Sequence, residues 1–217
     1  RRNGCCERGL SAVDATHAKS VVKRISVLAT SYPYSHIAVI GMGLIGTSIV
    51  HAAKYNNLPV TFAAYDNNPD VRAEAADLLS HIKITTTLQQ AVEDAELVIL
   101  AVPVGVMEQV IKDIAPYLRP GCVITDTGST KRSVIRDVLP FVPEACNFIP
   151  GHPLAGTEFS GPAAGFASLF EKRYWLILPN GCPEDKVAGL ATFLSDLGAM
   201  VETMDADYHD RVLAITS

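Results

Sequence analysis

A turn built on three glycines constrains this chain more than any other feature. Gly41-Met42-Gly43-Leu44-Ile45-Gly46 has the spacing G-x-G-x-x-G, and it joins a short apolar run at 37–40 to a helical pattern that continues to Lys54. Alone the spacing is a weak signal. Set between a strand and a helix it has a physical meaning. The first glycine permits a tight turn, the second lets a pyrophosphate reach the backbone, and the third packs helix on strand. Free N–H groups at the helix start then attract phosphate. An acid is expected about 20 positions further on, at the end of the next strand, to bind ribose. Asp66 stands 20 positions past Gly46. Its carboxylate suits two ribose hydroxyls and repels a 2′-phosphate, and Asn67 and Asn68 follow it rather than Arg or Ser. The pattern favours NAD over NADP.

The rest of the chain alternates. Residues 60–66 read as a strand, 69–79 as a helix, 83–87 as a short strand and 88–93 as a short helix. The apolar run at 97–103 is a strand, 104–115 has helical spacing, 122–128 is a strand, 131–139 a helix and 146–150 a strand. Later strands at 174–179 and 199–204 enclose a helix at 184–197, and Asp205 caps a last helix. Such alternation implies βαβ units. Strands that are apolar throughout imply a sheet covered on both faces. The expected fold class is α/β: a Rossmann-type, doubly wound, mostly parallel sheet over residues 36–204. Ligands of such sheets lie at the carboxyl ends of the strands. The expected cofactor contacts are therefore Gly41, Gly43, Leu44, Ile45, Gly46, Asp66, Val102, Pro103 and Ser129.

Composition narrows the function. The chain is 48% hydrophobic and 19% charged, which suits a packed core. A formal net charge of −5 argues against nucleic acid as a partner. No apolar run approaches the roughly 18–20 residues that cross a bilayer, so no membrane span is expected. The cysteines at 5, 6, 122, 146 and 182 are odd in number, scattered and without a CxxC pair. They suit inert thiols in a reduced, cytoplasmic setting and fit no disulfide framework or zinc site, so no metal is expected. Residues 1–35 carry Arg1, Arg2, Arg8, Lys19, Lys23 and Arg24 against Glu7 and Asp14. They read as a poorly ordered leader, either a targeting segment or an extension with no part in the core.

Two segments carry chemistry at the expected ligand edge: Asp126-Thr127-Gly128-Ser129-Thr130-Lys131, and GHPLAGTEFSG at 151–161. The second is a poor helix and a poor strand, and reads as a loop. Its glycines let backbone approach a ligand, and its polar residues can converge on one substrate. A neutral His152 there can take a proton from a hydroxyl while hydride leaves the same carbon, and the Ser129 hydroxyl can orient the imidazole. Thr157 and Glu158 are candidates for the substrate side, Glu158 as part of an ion-pair gate. His17, His36, His51 and His81 read as structural or solvated. For His209, beside Asp210 and Arg211 on the last helix, a solvent-facing position and a supporting role both stand.

The combination IGMGLIG, AVPV, DTGSTK, GHPLAGTE-x-SG and D-x-x-x-HDR resembles the prephenate/arogenate dehydrogenase family of tyrosine biosynthesis, over residues 37–217. The resemblance implies NAD-dependent oxidative decarboxylation of prephenate or arogenate to 4-hydroxyphenylpyruvate or tyrosine. It implies that His152 draws the proton from the ring hydroxyl, that Ser129 orients His152, and that Glu158 and Asp210 form a charged network at the entrance. It also implies a homodimer and a helical substrate domain, of which 205–217 would be only the start, so that this stretch by itself would turn over slowly or not at all. The alternatives are another NAD-dependent small-acid dehydrogenase of the β-hydroxyacid type, or a non-catalytic NAD-binding sensor.

Overall fold

The computed structural model describes residues 32–216, with side chains through Arg211. The leader expected over 1–35 lies, as far as Ser31, outside the described residues. Residues 32–35 correct its boundary, because they belong to the folded body. Tyr34 is buried edge-on against Phe193, and the Tyr32 hydroxyl donates to Asp196 at 3.0 Å. Two rings with apolar faces to bury outweigh the serine and proline around them.

The first part of the body alternates as expected. Its elements are β1 (His36–Ile40), α1 (Leu44–Tyr55), β2 (Thr61–Tyr65), α2 (Pro69–Leu78), β3 (Lys83–Ile84), α3 (Leu88–Val92), β4 (Leu97–Leu100), α4 (Met107–Ile114), β5 (Val123–Asp126), α5 (Lys131–Val138) and β6 (Asn147–Phe148). The strands form one sheet in the order β3-β2-β1-β4-β5-β6, every pair parallel. The order reverses between β1 and β4, and this is the switch point at which such sheets open a crevice.

Successive strand residues feed two cores. Ile37, Val39, Leu97, Ile99 and Val123 face α1, α2 and a later helix, α6 (Glu184–Asp196). Ala38, Ile40, Val98, Leu100 and Ile124 face α3, α4 and α5. Both faces are covered, which is why the strands do not alternate with polar residues.

The chain then leaves this sheet. β7 (Gly151–Pro153) pairs antiparallel with β8 (Tyr174–Ile177), and β8 pairs parallel with β9 (Met200–Thr203). These strands make a separate three-stranded sheet in the order β7-β8-β9. The start of GHPLAGTE is thus a strand and not a loop. Glycine and proline are tolerated there because β7 is an edge strand. The last helix, α7 (Ala206–Thr216), begins where Asp205 accepts from the Tyr208 N–H at 2.7 Å, the cap expected from the sequence.

The glycine turn is fixed by close approach. Gly41 has φ +99°, and a Cβ there would lie 2.4 Å from the Ala101 carbonyl oxygen. A Cβ on Gly46 would lie 2.0 Å from the Gly41 carbonyl oxygen. A Cβ on Gly43 would meet nothing within 4 Å. Gly41→Ala is therefore expected to destabilise the fold by at least about 2 kcal/mol in urea unfolding. Gly43→Ala should cost about 1 kcal/mol or less, the loss of a good N-cap residue. Equal losses would contradict the geometry.

Candidate active site

Two constellations lie along the carboxyl edge of the main sheet. The first surrounds the glycine turn. Asp66 follows β2, and its Oδ2 accepts from the Met42 N–H at 2.9 Å while Oδ1 accepts from the Asn68 N–H at 2.9 Å. Arg72 donates to the carbonyls of Asp66 and Asn67 and lies over the Tyr65 ring, so the turn that presents the carboxylate is held from below. A cavity of about 570 Å³ opens at the switch point, with Gly41, Gly43, Asp66, Val102 and Pro103 in its wall. That volume is ordinary for a small-molecule site. Leu44 and Ile45 are half-buried and pack toward the core, while Gly46 is wholly buried beneath the turn.

The fit of a dinucleotide can be tested on these residues. Gly43 leaves open space where a side chain would stand. The first turn of α1 carries no acidic residue and no side-chain cap, so its N–H groups stay available to an anion. The Asp66 carboxylate is partly exposed at the strand end. An open glycine, free helix-start donors and a ribose-height acid all suit such a ligand.

The second constellation begins with a buried ion pair. Asp126, at the end of β5, and Lys131, the first residue of α5, are both fully buried, with Nζ 2.5 Å from Oδ2. Asp126 also accepts from the N–H groups of Gly128 at 2.7 Å and Gly151 at 3.2 Å. Burial drives its carboxyl upward and the Lys131 ammonium downward, and each charge opposes that drift in the other. Every partner of Asp126 is a donor, which is the pattern of a carboxylate and not of a carboxylic acid. Lys131 Nζ also donates to the Gly151 carbonyl at 2.5 Å. Gly151 must be glycine because a Cβ would come within 2.8 Å of the Asp126 carbonyl oxygen.

His152 is the middle residue of β7, and its partner comes from the far end of the chain. Its Nδ1 lies 3.0 Å from Nε2 of His209, and the rings sit 5.2 Å apart at 58°. His209 is fully buried, and its Nδ1 lies 2.7 Å from Asp210 Oδ1. Asp210 in turn accepts from the backbone N–H groups of Lys131 at 2.9 Å and Arg132 at 3.0 Å. Thr130 provides no side-chain cap for α5, so α7 supplies one from outside. These backbone donors lead the lowering of the Asp210 carboxyl pKa against its partial burial.

The network assigns the tautomers. The Asp210 carboxylate accepts the Nδ1–H of His209. The Nε2 of His209 then accepts the Nδ1–H of His152. The Nε2 of His152 is left as a lone pair. Burial, then the Lys131 charge, then His209 push the His152 pKa down to about 4, and only Asp210 pulls it upward.

Several expectations need correction. Ser129 is exposed and, among the described residues, makes no hydrogen bond to His152; the side chain in hydrogen-bond contact with His152 is His209. The charged gate is not formed. Glu158 is exposed and has no ion pair among the described residues, Thr157 accepts only from the Phe159 N–H, and Asp210 is committed to His209 and α5. Of the two readings left open for His209, the solvent-facing one fails, because the side chain is fully buried against His152. Lys131 and Asp126 are a buried ion pair beneath the site; the sequence puts their segment at the ligand edge but gives neither residue a role. A lysine at the first position of a helix, where the dipole disfavours a cation, was the available signal.

Fold and site together define a Rossmann-type nucleotide-binding domain with a histidine relay at its ligand edge. Residues 49–203 match the family model for the prephenate dehydrogenase nucleotide-binding domain. The match starts inside α1, past the glycine turn. The chain is 41% identical to a cyclohexadienyl dehydrogenase from Zymomonas mobilis over 85% of its own length and 63% of that protein's. It is 32% identical to a prephenate dehydrogenase from Lactococcus lactis over 81% of this chain and 48% of that one. It superposes with TM-score 0.77, at 26% identity, on the Aquifex aeolicus prephenate dehydrogenase solved with hydroxyphenyl propionate and NAD+, covering 85% of this chain and 64% of that one. The chain belongs to the prephenate dehydrogenase nucleotide-binding family. It spans about half to two thirds of the length of these relatives. Among the described residues, no helix is long and apolar enough to cross a membrane.

The low His152 pKa has a consequence for stability. The folded chain binds a proton there only near pH 4, whereas an unfolded histidine does so near 6.5. Between these values the unfolded state takes up the proton that the folded state refuses. The contribution is complete above about pH 6.5 and is lost as pH falls toward 4. For a half-buried group it is on the order of 1–2 kcal/mol after solvent screening. His152→Gln should flatten this part of the stability–pH curve measured by denaturant unfolding.

Proposed function

We propose that this chain carries the NAD-binding and proton-accepting part of a prephenate or arogenate dehydrogenase, acting in tyrosine biosynthesis. The observation that carries the reading is the Asp210–His209–His152 relay, which leaves the His152 Nε2 unprotonated and free beside the ligand edge. A nucleotide-binding module alone has no need of it. NAD, when bound, would supply the acceptor for the hydride that leaves the substrate ring. Gly41, Gly43 and the start of α1 would hold its pyrophosphate, Asp66 its adenosine ribose, and Val102 and Pro103 the wall of the crevice. Ser129 would lie near the nicotinamide end.

The chemistry left to the chain is modest. His152 Nε2 accepts the proton of the ring hydroxyl as the ring carbon is oxidised. His209 and Asp210 stabilise the charge that develops on the imidazole. Loss of carbon dioxide makes the ring aromatic and drives the reaction forward. Thr157 and Glu158, exposed on the loop after β7, would meet substrate rather than latch Asp210. Leu154, Tyr174 and Tyr208 line an open cavity of about 610 Å³ beside α7. In the same proposal α7 begins a helical domain that completes this pocket and forms a homodimer. A cytoplasmic location goes with it, on the free thiols of Cys122, Cys146 and Cys182.

The deciding experiment uses the natural full-length protein and follows NADH absorbance, with prephenate and arogenate offered separately. One of them should react, and His152→Asn should lower kcat by a factor of about 10² to 10⁴. NAD binding without reaction of either substrate would favour the small-acid dehydrogenase or the sensor. A second measurement concerns Asp66. Asp66→Ala should weaken NAD+ by about 10- to 100-fold, the loss of charge-assisted hydrogen bonds, and should shrink the preference over NADP+ in fluorescence titrations. An unchanged preference would remove Asp66 from the ribose site.

A further inference from the structure

Lys131 occupies a position that sequence physics disfavours twice. It is a cation at a helix N-terminus and it has no access to solvent. Buried pairs of this kind are often no more stable than apolar residues of similar volume, so stability is a poor reason for one. Its contacts suggest another. The side chain holds the carbonyl of Gly151, the residue before His152. The backbone N–H holds the carboxylate of Asp210, the far end of the relay. The result is a closed circuit: Lys131 Nζ to Gly151, along the chain to His152, across to His209, on to Asp210, and back to the Lys131 N–H.

Resting on His152 as the proton acceptor, we infer that Lys131 is a positioning residue for it: through the Gly151 carbonyl and Asp210 it fixes both ends of the histidine relay, and it sets a buried cation beside the imidazole. The charged and titratable groups around His152 are Lys131 from α5, His209 and Asp210 from α7, and Asp126 from β5 behind Lys131. Of these, Lys131 is the cation whose field opposes protonation most, and Asp210 is the anion that favours it.

The test needs no substrate, so it gives an answer whether or not the dehydrogenase reading holds. The imidazole signals of His152 are titrated by NMR in the unaltered protein, in Lys131→Met, and in Lys131→Met combined with Asp126→Asn. The double variant replaces the ion pair with neutral groups and guards against misfolding of the single one, in which Asp126 loses its partner. In the unaltered protein His152 should titrate near pH 4. In a folded variant its titration should move up toward the ordinary value of about 6.5. In the full-length protein the acid limb of the kcat profile should move up with it. A variant that folds and leaves the His152 titration in place overturns the inference, and so does an unaltered protein in which His152 titrates near 6.5.

Discussion

A carboxylate and an ammonium with no access to water sit where the two sheets meet, and the order of the site follows from them. Asp126 ends β5 of the large sheet, and Gly151 begins β7 of the small one. Asp126 accepts from the backbone of one, its partner Lys131 donates to the carbonyl of the same residue, and the Gly128 N–H completes the shell. Leaving either charge unpaired would cost about 3–5 kcal/mol. The turn at 127–130 and the approach of β7 to β5 are therefore not free to vary. His152 inherits its place from that constraint, because it is the next residue along the strand.

The second half of the site is fixed by a different force and meets the first through one segment. The glycine turn is set by backbone contact between Gly41 and the Ala101 carbonyl, at the switch between β1 and β4. The chain that leaves β7 passes through 154–164 and returns against α1. There the Phe166 N–H donates to the Ser48 hydroxyl, and Gly165 lies so close to Thr47 that a Cβ would come within 2.7 Å of it. The segment after the histidine is thus docked on the helix that starts at the glycine turn. A shift of one constellation against the other would have to break this seam.

The parallel sheet and its turn were legible because their signals are local. Apolar runs, a glycine spacing and an acid at a fixed distance are read within a few tens of residues. The relay was not, because it joins residues 57 apart and depends on how α7 docks. Asp207, Tyr208, His209, Asp210 and Arg211 look like an exposed, charged helix face, and Asp207, Tyr208 and Arg211 are indeed exposed. The cap that Asp210 places on α5 and the contact with His152 hold His209 inward. Ser129 was a reasonable partner for His152 on proximity in an edge loop, but a buried imidazole already bonded to a carboxylate is the better-held orienter. GHP failed as a strand in the sequence because glycine and proline mask a three-residue edge pairing. Lys131 looked like the polar start of a helix, and nothing within its own helix shows that the side chain turns inward.

A base that holds its proton only near pH 4 looks too weak for its task, since proton transfer is most efficient when the pKa lies near the working pH. The value belongs to the site without substrate. There burial, then the Lys131 charge, then His209 act on His152, and only Asp210 opposes them. On the proposed function the incoming substrate is an anion with carboxylate groups. Negative charge beside His152 favours the protonated imidazole and works against the Lys131 field. On that proposal the charge that helps burial keep the base free before binding is partly cancelled by the molecule that needs it. His209 and Asp210 then hold the imidazolium with a carboxylate already in place, so little rearrangement is required as the proton arrives. On the proposed function the buried pair and the relay would thus act in sequence: one presents an empty nitrogen, and the other stabilises the filled one.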